Sequence, residues 1–378
     1  MFTTLEQVRC KLQPITEESH GLESTHQPPR LSSLEWQRFE RIGAAMALLG
    51  IFLTFFGLTW DIQWHSDVGP DTFWTVPHLF VYAGAALTGF ACLSVVLLST
   101  ALNTTRPRAD LIPVLGGRFH APLGFVVSGF GAFGFLLFGV FDQWWHVVFG
   151  FDVALSSPPH IGLILSLVTS MIGAMLIFVR GRRVKPLEFV TALAVNLGFT
   201  LPVLILMFWE MDQSWQFLVF PALFLTLAMT LTASVTRNPW WVLGMTLVFT
   251  AFRWLNWLIV PAITELYASS IDLSLRDTAQ GFPLMPYFMP VYAPLAGLVA
   301  AVGLYFWKTR GWNAQVGAAL VAAVVAPALY MDGSLIDLGK TPVMILPIIA
   351  IGAIAGWLGW QLGIVTRLGN RELEAETR

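Results

Sequence analysis

Residues 61–78 read DIQWHSDVGPDTFWTVPH and contain a carboxylate and two imidazoles at spacings that suit metal binding. Asp61 and His65 are four residues apart. On a helix they share one face, about 6 Å from each other. His78 follows twelve intervening residues later, directly behind Pro77, where a returning helix would begin. One carboxylate and two imidazoles gathered at the tip of a helical hairpin leave a coordination position open, the usual arrangement of a reactive metal site. Nitrogen and oxygen ligands without a thiolate select copper, zinc or iron.

The same set recurs. FDQWWHVVFGFDVALSSPPH at 141–160 aligns Asp142, Trp145 and His146 with Asp61, Trp64 and His65 at an offset of about 81 residues. With one inserted residue, Asp152, Pro159 and His160 align with Asp71, Pro77 and His78. A second site at Asp142, His146 and His160 is therefore expected beside the first. A single histidine among Trp60, Trp64 and Trp74 reads more simply as part of an interfacial aromatic belt. Duplication of the whole pattern shifts the expectation to a metal site. A fainter version, an acid at helix exit (Glu210 and Asp212, Glu265, Asp332) and a proline near return (Pro221, Pro283, Pro342), lacks histidine.

The elements that must position these groups are membrane helices. Of 378 residues 56% are hydrophobic and 12% charged, with a mean hydropathy of +0.69. Such a composition defines an integral membrane protein. Ten apolar stretches of about 20 residues are expected as spans, at 42–60, 75–99, 121–141, 158–179, 187–208, 216–235, 240–262, 285–307, 314–331 and 342–366. The fold class is thus all-α and polytopic, built of helical hairpins with both termini cytoplasmic. The expected division is a partly disordered tail over 1–41, a duplicated four-helix region over 42–185, a six-helix region over 186–366 and a tail over 367–378. No cleavable signal peptide is evident.

Cations set the orientation. With the N-terminus inside, only Arg253, Arg276 and Lys340 of the 21 Lys and Arg lie off the cytoplasmic face. Both triads then face the extracytoplasmic side of a cell membrane, plasma or inner. Asp67, Asp71 and Asp152 are candidates for orienting the imidazoles, or are solvated loop acids. The two cysteines, Cys10 and Cys92, imply neither a disulfide nor a thiolate site.

D-x-x-W-H followed by D, F and Pro-His resembles the metal-binding segment of the membrane C subunit of particulate methane and ammonia monooxygenases, over about residues 45–180. The resemblance implies a copper-dependent membrane oxygenase, or a subunit of one, with Asp61, His65 and His78 as metal ligands. It also implies further membrane subunits, dioxygen, and a small apolar substrate arriving through the lipid. That family's second site pairs an Asn with two histidines; here Asp142 stands at the Asn position, ahead of His146 and His160. The six later helices have no counterpart in the resemblance.

Two other classes fit the same residues: a metal-ion or proton transporter, and a non-catalytic metal-binding assembly subunit. A transporter should line a path across the bilayer, whereas here the ionisable groups sit at one end. No nucleic-acid partner is expected. Arg253, roughly 18 Å into the bilayer by helical rise, needs a partner, with Glu210 or Asp212 as candidates in a packing ion pair. The prolines of PLMPYFMPVYAP exclude a regular helix start there and predict an extended, protein-packed re-entry. The small residues from Ala314 to Ala328 predict close helix packing.

Overall fold

The chain is described by a computed structural model covering residues 33–69, 72–103, 108, 110–150, 156–180, 184–208, 215–279, 281–330 and 341–376. Two units are distinguished, Met1–Arg38 and Phe39–Arg378. Of the first, only residues 33–38 are described.

The helices are α1 (Ser33–Asp67), α2 (Val76–Asn103), α3 (Leu123–Phe149), α4 (Pro158–Val179), α5 (Pro186–Met207), α6 (Gln216–Thr236), α7 (Trp240–Ser270), α8 (Leu284–Tyr287), α9 (Ala293–Thr309), α10 (Ala314–Val325) and α11 (Thr341–Glu376). Among the described residues, eight of them are long and apolar enough to cross a membrane. The molecule is a mostly helical, membrane-embedded protein whose apolar helices face lipid.

Several expectations are refined. The expected spans 285–307 and 314–331 appear as shorter helices. Pro283, Pro286 and Pro290 confine the first helical turn to α8, and α10 passes at Ala326–Tyr330, which contains Pro327, into a 3-10 turn. The re-entry is a buried helical turn instead of an extended segment, with Met285, Phe288 and Met289 inside the protein. The helix carrying the first triad begins at Ser33, well inside the expected tail, and α11 runs on to Glu376. Charged residues with good helix propensity extend both helices beyond their apolar runs. One antiparallel hairpin, β1 (Leu111–Val114) with β2 (Phe119–Pro122), joins α2 to α3 and departs from a purely helical fold. Its turn uses Gly116 and Gly117 at positive φ.

The internal repeat is visible in the packing of the first four helices. A Cβ on Gly50 of α1 would fall 2.5 Å from the Gly84 carbonyl of α2, and one on Gly131 of α3 would fall 2.6 Å from the Ser166 carbonyl of α4. Gly43 against Val95 and Gly124 against Ile177 repeat the pattern one or two turns away. These contacts obey the same offset as the triads, 81 residues on the odd helices and 82 on the even ones. Each pair is cross-linked at one equivalent place: Thr88 Oγ1 donates to the Ala47 carbonyl at 3.1 Å, and the Ser128 and Ser170 hydroxyls lie 3.2 Å apart. Small residues let the two backbones of each hairpin approach closely, as membrane helices require when no hydrophobic force drives them together.

Later helices pack by similar means. Gly352 and Gly356 of α11 sit over Ala322 and Ala318 of α10, so the small-residue run serves helix packing as expected. Arg253 of α7 is 4% exposed. Its Nε donates to the Met289 carbonyl at 2.9 Å, and its guanidinium lies 4.9 and 4.8 Å from the Trp254 and Trp257 ring centres. The expected partners Glu210 and Asp212 lie outside the described residues, as do Asp332 and Pro342's predecessor loop at 331–340. Of the fainter repeat, Glu265 lies near the end of α7, Pro283 caps α8 and Pro342 is in the first turn of α11, whereas Pro221 sits within α6.

Candidate metal centres

α1 continues past Trp60 to Asp67, which places Asp61 and His65 one turn apart on one face. It ends where the Val68 and Gly69 amides turn back to the Trp64 carbonyl, with Gly69 at φ 141°. The chain returns through Thr72, whose amide donates to Thr75 Oγ1 at 2.9 Å, and α2 starts with Pro77 in its first turn. This start aims His78 at the end of α1. His78 Nε2 lies 3.1 Å and His65 Nε2 3.7 Å from Asp61 Oδ1.

The second hairpin repeats the construction. α3 ends at Gly150, again with positive φ, and α4 starts behind Ser157 with Pro158 and Pro159 in its first turn. His146 Nε2 and His160 Nε2 approach the Asp142 carboxylate at 3.4 and 3.5 Å. In each triad one donor atom per residue lies within 4.8 Å of the others. Ligands about 2.1 Å from a tetrahedral ion stand about 3.4 Å apart, and the four carboxylate–imidazole distances bracket that value.

Hydrogen bonding on the far side of the rings decides what the near side presents. His78 Nδ1 is 3.0 Å from the Thr72 carbonyl, and His146 Nδ1 is 3.3 Å from the Gly150 carbonyl. A carbonyl only accepts, so both Nδ1 atoms carry a proton, which leaves each Nε2, the atom facing the carboxylate, as the one that can offer a lone pair to an ion. Asp61 Oδ1 and Asp142 Oδ1 are buried, and beyond the imidazole Nε2 atoms that face them they have no hydrogen-bond partner among the described residues. One carboxylate and two imidazole nitrogens thus converge in both places, a donor set that a cation can bridge. The donor set fits a copper, zinc or iron ion. His160 Nδ1 meets the Ser157 hydroxyl at 2.9 Å, completing the outer hydrogen bonding of the second triad.

All six expected ligands are therefore brought together, three and three. Of the expected outer partners only Asp67 is among the described residues, and its carboxylate is engaged elsewhere. Asp67 is 3% exposed, and its carboxylate accepts from Gln63 Nε2 instead of an imidazole. One helical turn beyond Gln63 on the same face, it is held by its own helix. Asp71 and Asp152 lie outside the described residues.

The surroundings of the two triads differ. Trp64 is 2% exposed and packs on Tyr267 of α7 at a ring separation of 4.9 Å, walling the first triad. Trp60 meets the same Tyr267 at 5.9 Å. Trp145 is half-buried and stacks on Phe149 of its own helix at 4.3 Å. Sequence reasoning missed Thr72, Ser157 and Tyr267. Of these, Ser157 carried a signal, since it repeats Thr75 at the offset of 82.

Fold and clusters together define a polytopic helical membrane protein with two duplicated Asp-His-His clusters able to hold a metal ion. Compared with known proteins, the chain matches no family model, no curated protein and no solved structure.

Proposed function

We propose that this is a copper-binding integral membrane protein of the cell membrane that resembles the C subunit of particulate methane and ammonia monooxygenases and serves oxidation of a small apolar substrate by dioxygen. The observation that supports this reading is the buried Asp61 Oδ1 with His78 Nε2 at 3.1 Å and His65 Nε2 at 3.7 Å, repeated at Asp142 with His146 and His160 at 3.4 and 3.5 Å. Copper, when bound, supplies the redox chemistry, with electrons from an external donor. Asp61, His65 and His78 hold the ion and neutralise part of its charge. The Thr72 carbonyl fixes the His78 tautomer, and Trp60 and Trp64 exclude water from one side of the site. The cation distribution of the sequence supports an extracytoplasmic position for both sites. Further membrane subunits complete the enzyme.

The test is metal analysis and electron paramagnetic resonance of the purified full chain and its His65→Ala and His146→Ala variants. Each variant is expected to lose one bound ion. Unchanged metal content in both variants overturns the reading.

A further inference from the structure

The two triads share ligands, spacing and glycine-terminated helices, yet among the described residues a grip on the end of the odd helix from outside the hairpin is present at the first. Arg276 lies in the connection between α7 and α8, 211 residues from His65 of the first triad in sequence. Its backbone amide donates to the Asp67 carbonyl at 2.7 Å, Nε donates to the Val68 carbonyl at 3.1 Å, and Nη1 donates to the carbonyl of His65 itself at 3.3 Å. These oxygens belong to the end of α1, where carbonyls have no partner within the helix. A cation is also favoured there by the helix dipole. Gly69 completes the fit, because a Cβ there would stand 2.7 Å from Arg276 Nη2.

The equivalent position in the second hairpin is Gly150, and a Cβ there would meet nothing within 4 Å. Among the described residues no side chain from a later helix donates to the end of α3. The neighbouring Val147 and Phe149 are 73% and 63% exposed.

We infer that Arg276 is a positioning residue for the first metal site: its fork fixes the backbone of His65, so the first triad is preorganised for its ion by a contact specific to that hairpin. This rests on the copper reading above. Two effects of Arg276 oppose each other, since its charge repels a cation while its hydrogen bonds order a ligand. The arginine is exposed, so its charge is screened by solvent, and ordering dominates.

The experiment uses the full chain in detergent, titrated with copper(II) and followed by electron paramagnetic resonance. Arg276→Gln and Arg276→Lys are placed in a His146→Ala background, which leaves the first site, and in a His65→Ala background, which leaves the second. Arg276→Gln is expected to weaken the first site about 10- to 100-fold, the range for outer partners of metal ligands, and to change its copper hyperfine coupling. The second site should not change. Arg276→Lys keeps the charge but cannot fork between carbonyls, and should recover only part of the loss. Amide hydrogen exchange over Trp64–Gly69 should quicken in Arg276→Gln. Equal effects at both sites, tighter binding in Arg276→Gln, or unchanged exchange with copper bound each overturn the clamp alone. A parent chain that binds no copper overturns the metal reading, and with it any ligand for Arg276 to position.

Discussion

Gly50 of α1 and Gly84 of α2 meet backbone to backbone, with the Gly84 carbonyl 2.5 Å from where a Gly50 Cβ would stand. That contact sets how far apart the two helices are, and so whether His78 can reach Asp61. Gly131 and Ser166 do the same for the second hairpin.

Gly50→Leu should splay the first hairpin. The expected cost is about 1–3 kcal/mol of stability from overpacking, with copper lost from the first site and kept at the second. Gly131→Leu should give the mirror result. Thermal melting and copper stoichiometry of both variants check this, and a Gly50→Leu protein with full copper content would show that the contact does not set the site.

Asp61→Asn keeps the shape of the side chain and removes its charge. Copper affinity at the first site should fall at least about tenfold, a loss of about 1.4 kcal/mol or more in binding. Equilibrium dialysis in the His146→Ala background reads that site alone.

Ser157→Ala removes the hydroxyl that meets His160 Nδ1 at 2.9 Å. With its ring less firmly oriented, the second site should bind copper about tenfold more weakly, while the first keeps its affinity and the melting temperature stays near that of the parent. An unchanged second site would mean that the start of α4 orients His160 without the hydroxyl.

Arg253→Met strips the Met289 carbonyl of its donor at the broken segment between α7 and α9. The buried carbonyl left behind should cost about 1–3 kcal/mol, seen as a lower melting temperature with both copper sites intact. Loss of copper in this variant would instead connect Arg253 to the metal centres.

The triads were legible because each needs only local rules. Asp61 and His65 are joined by one helical turn, and the Pro77–His78 and Pro159–His160 pairs mark helix starts. The glycines at 43, 50, 124 and 131 repeat the same offset of 81, so the hairpin contacts also had a sequence signature. Arg276 carried a weaker one, as a cation on a face otherwise poor in them. Asp67 was misread, since a sequence position beside a ligand does not reveal that Gln63 of the same helix takes the carboxylate.

What the sequence determined by itself is the solvent of the protein, its helical class and the membership of each triad, because apolar run length and residue spacing act within tens of residues. Tertiary structure alone decided that two copies of one motif have unlike surroundings. Tyr267 and Arg276 reach the first site from about 200 residues away, through contacts created only when α7 packs beside α1, and no local pattern encodes which of two equal hairpins a distant helix will cover.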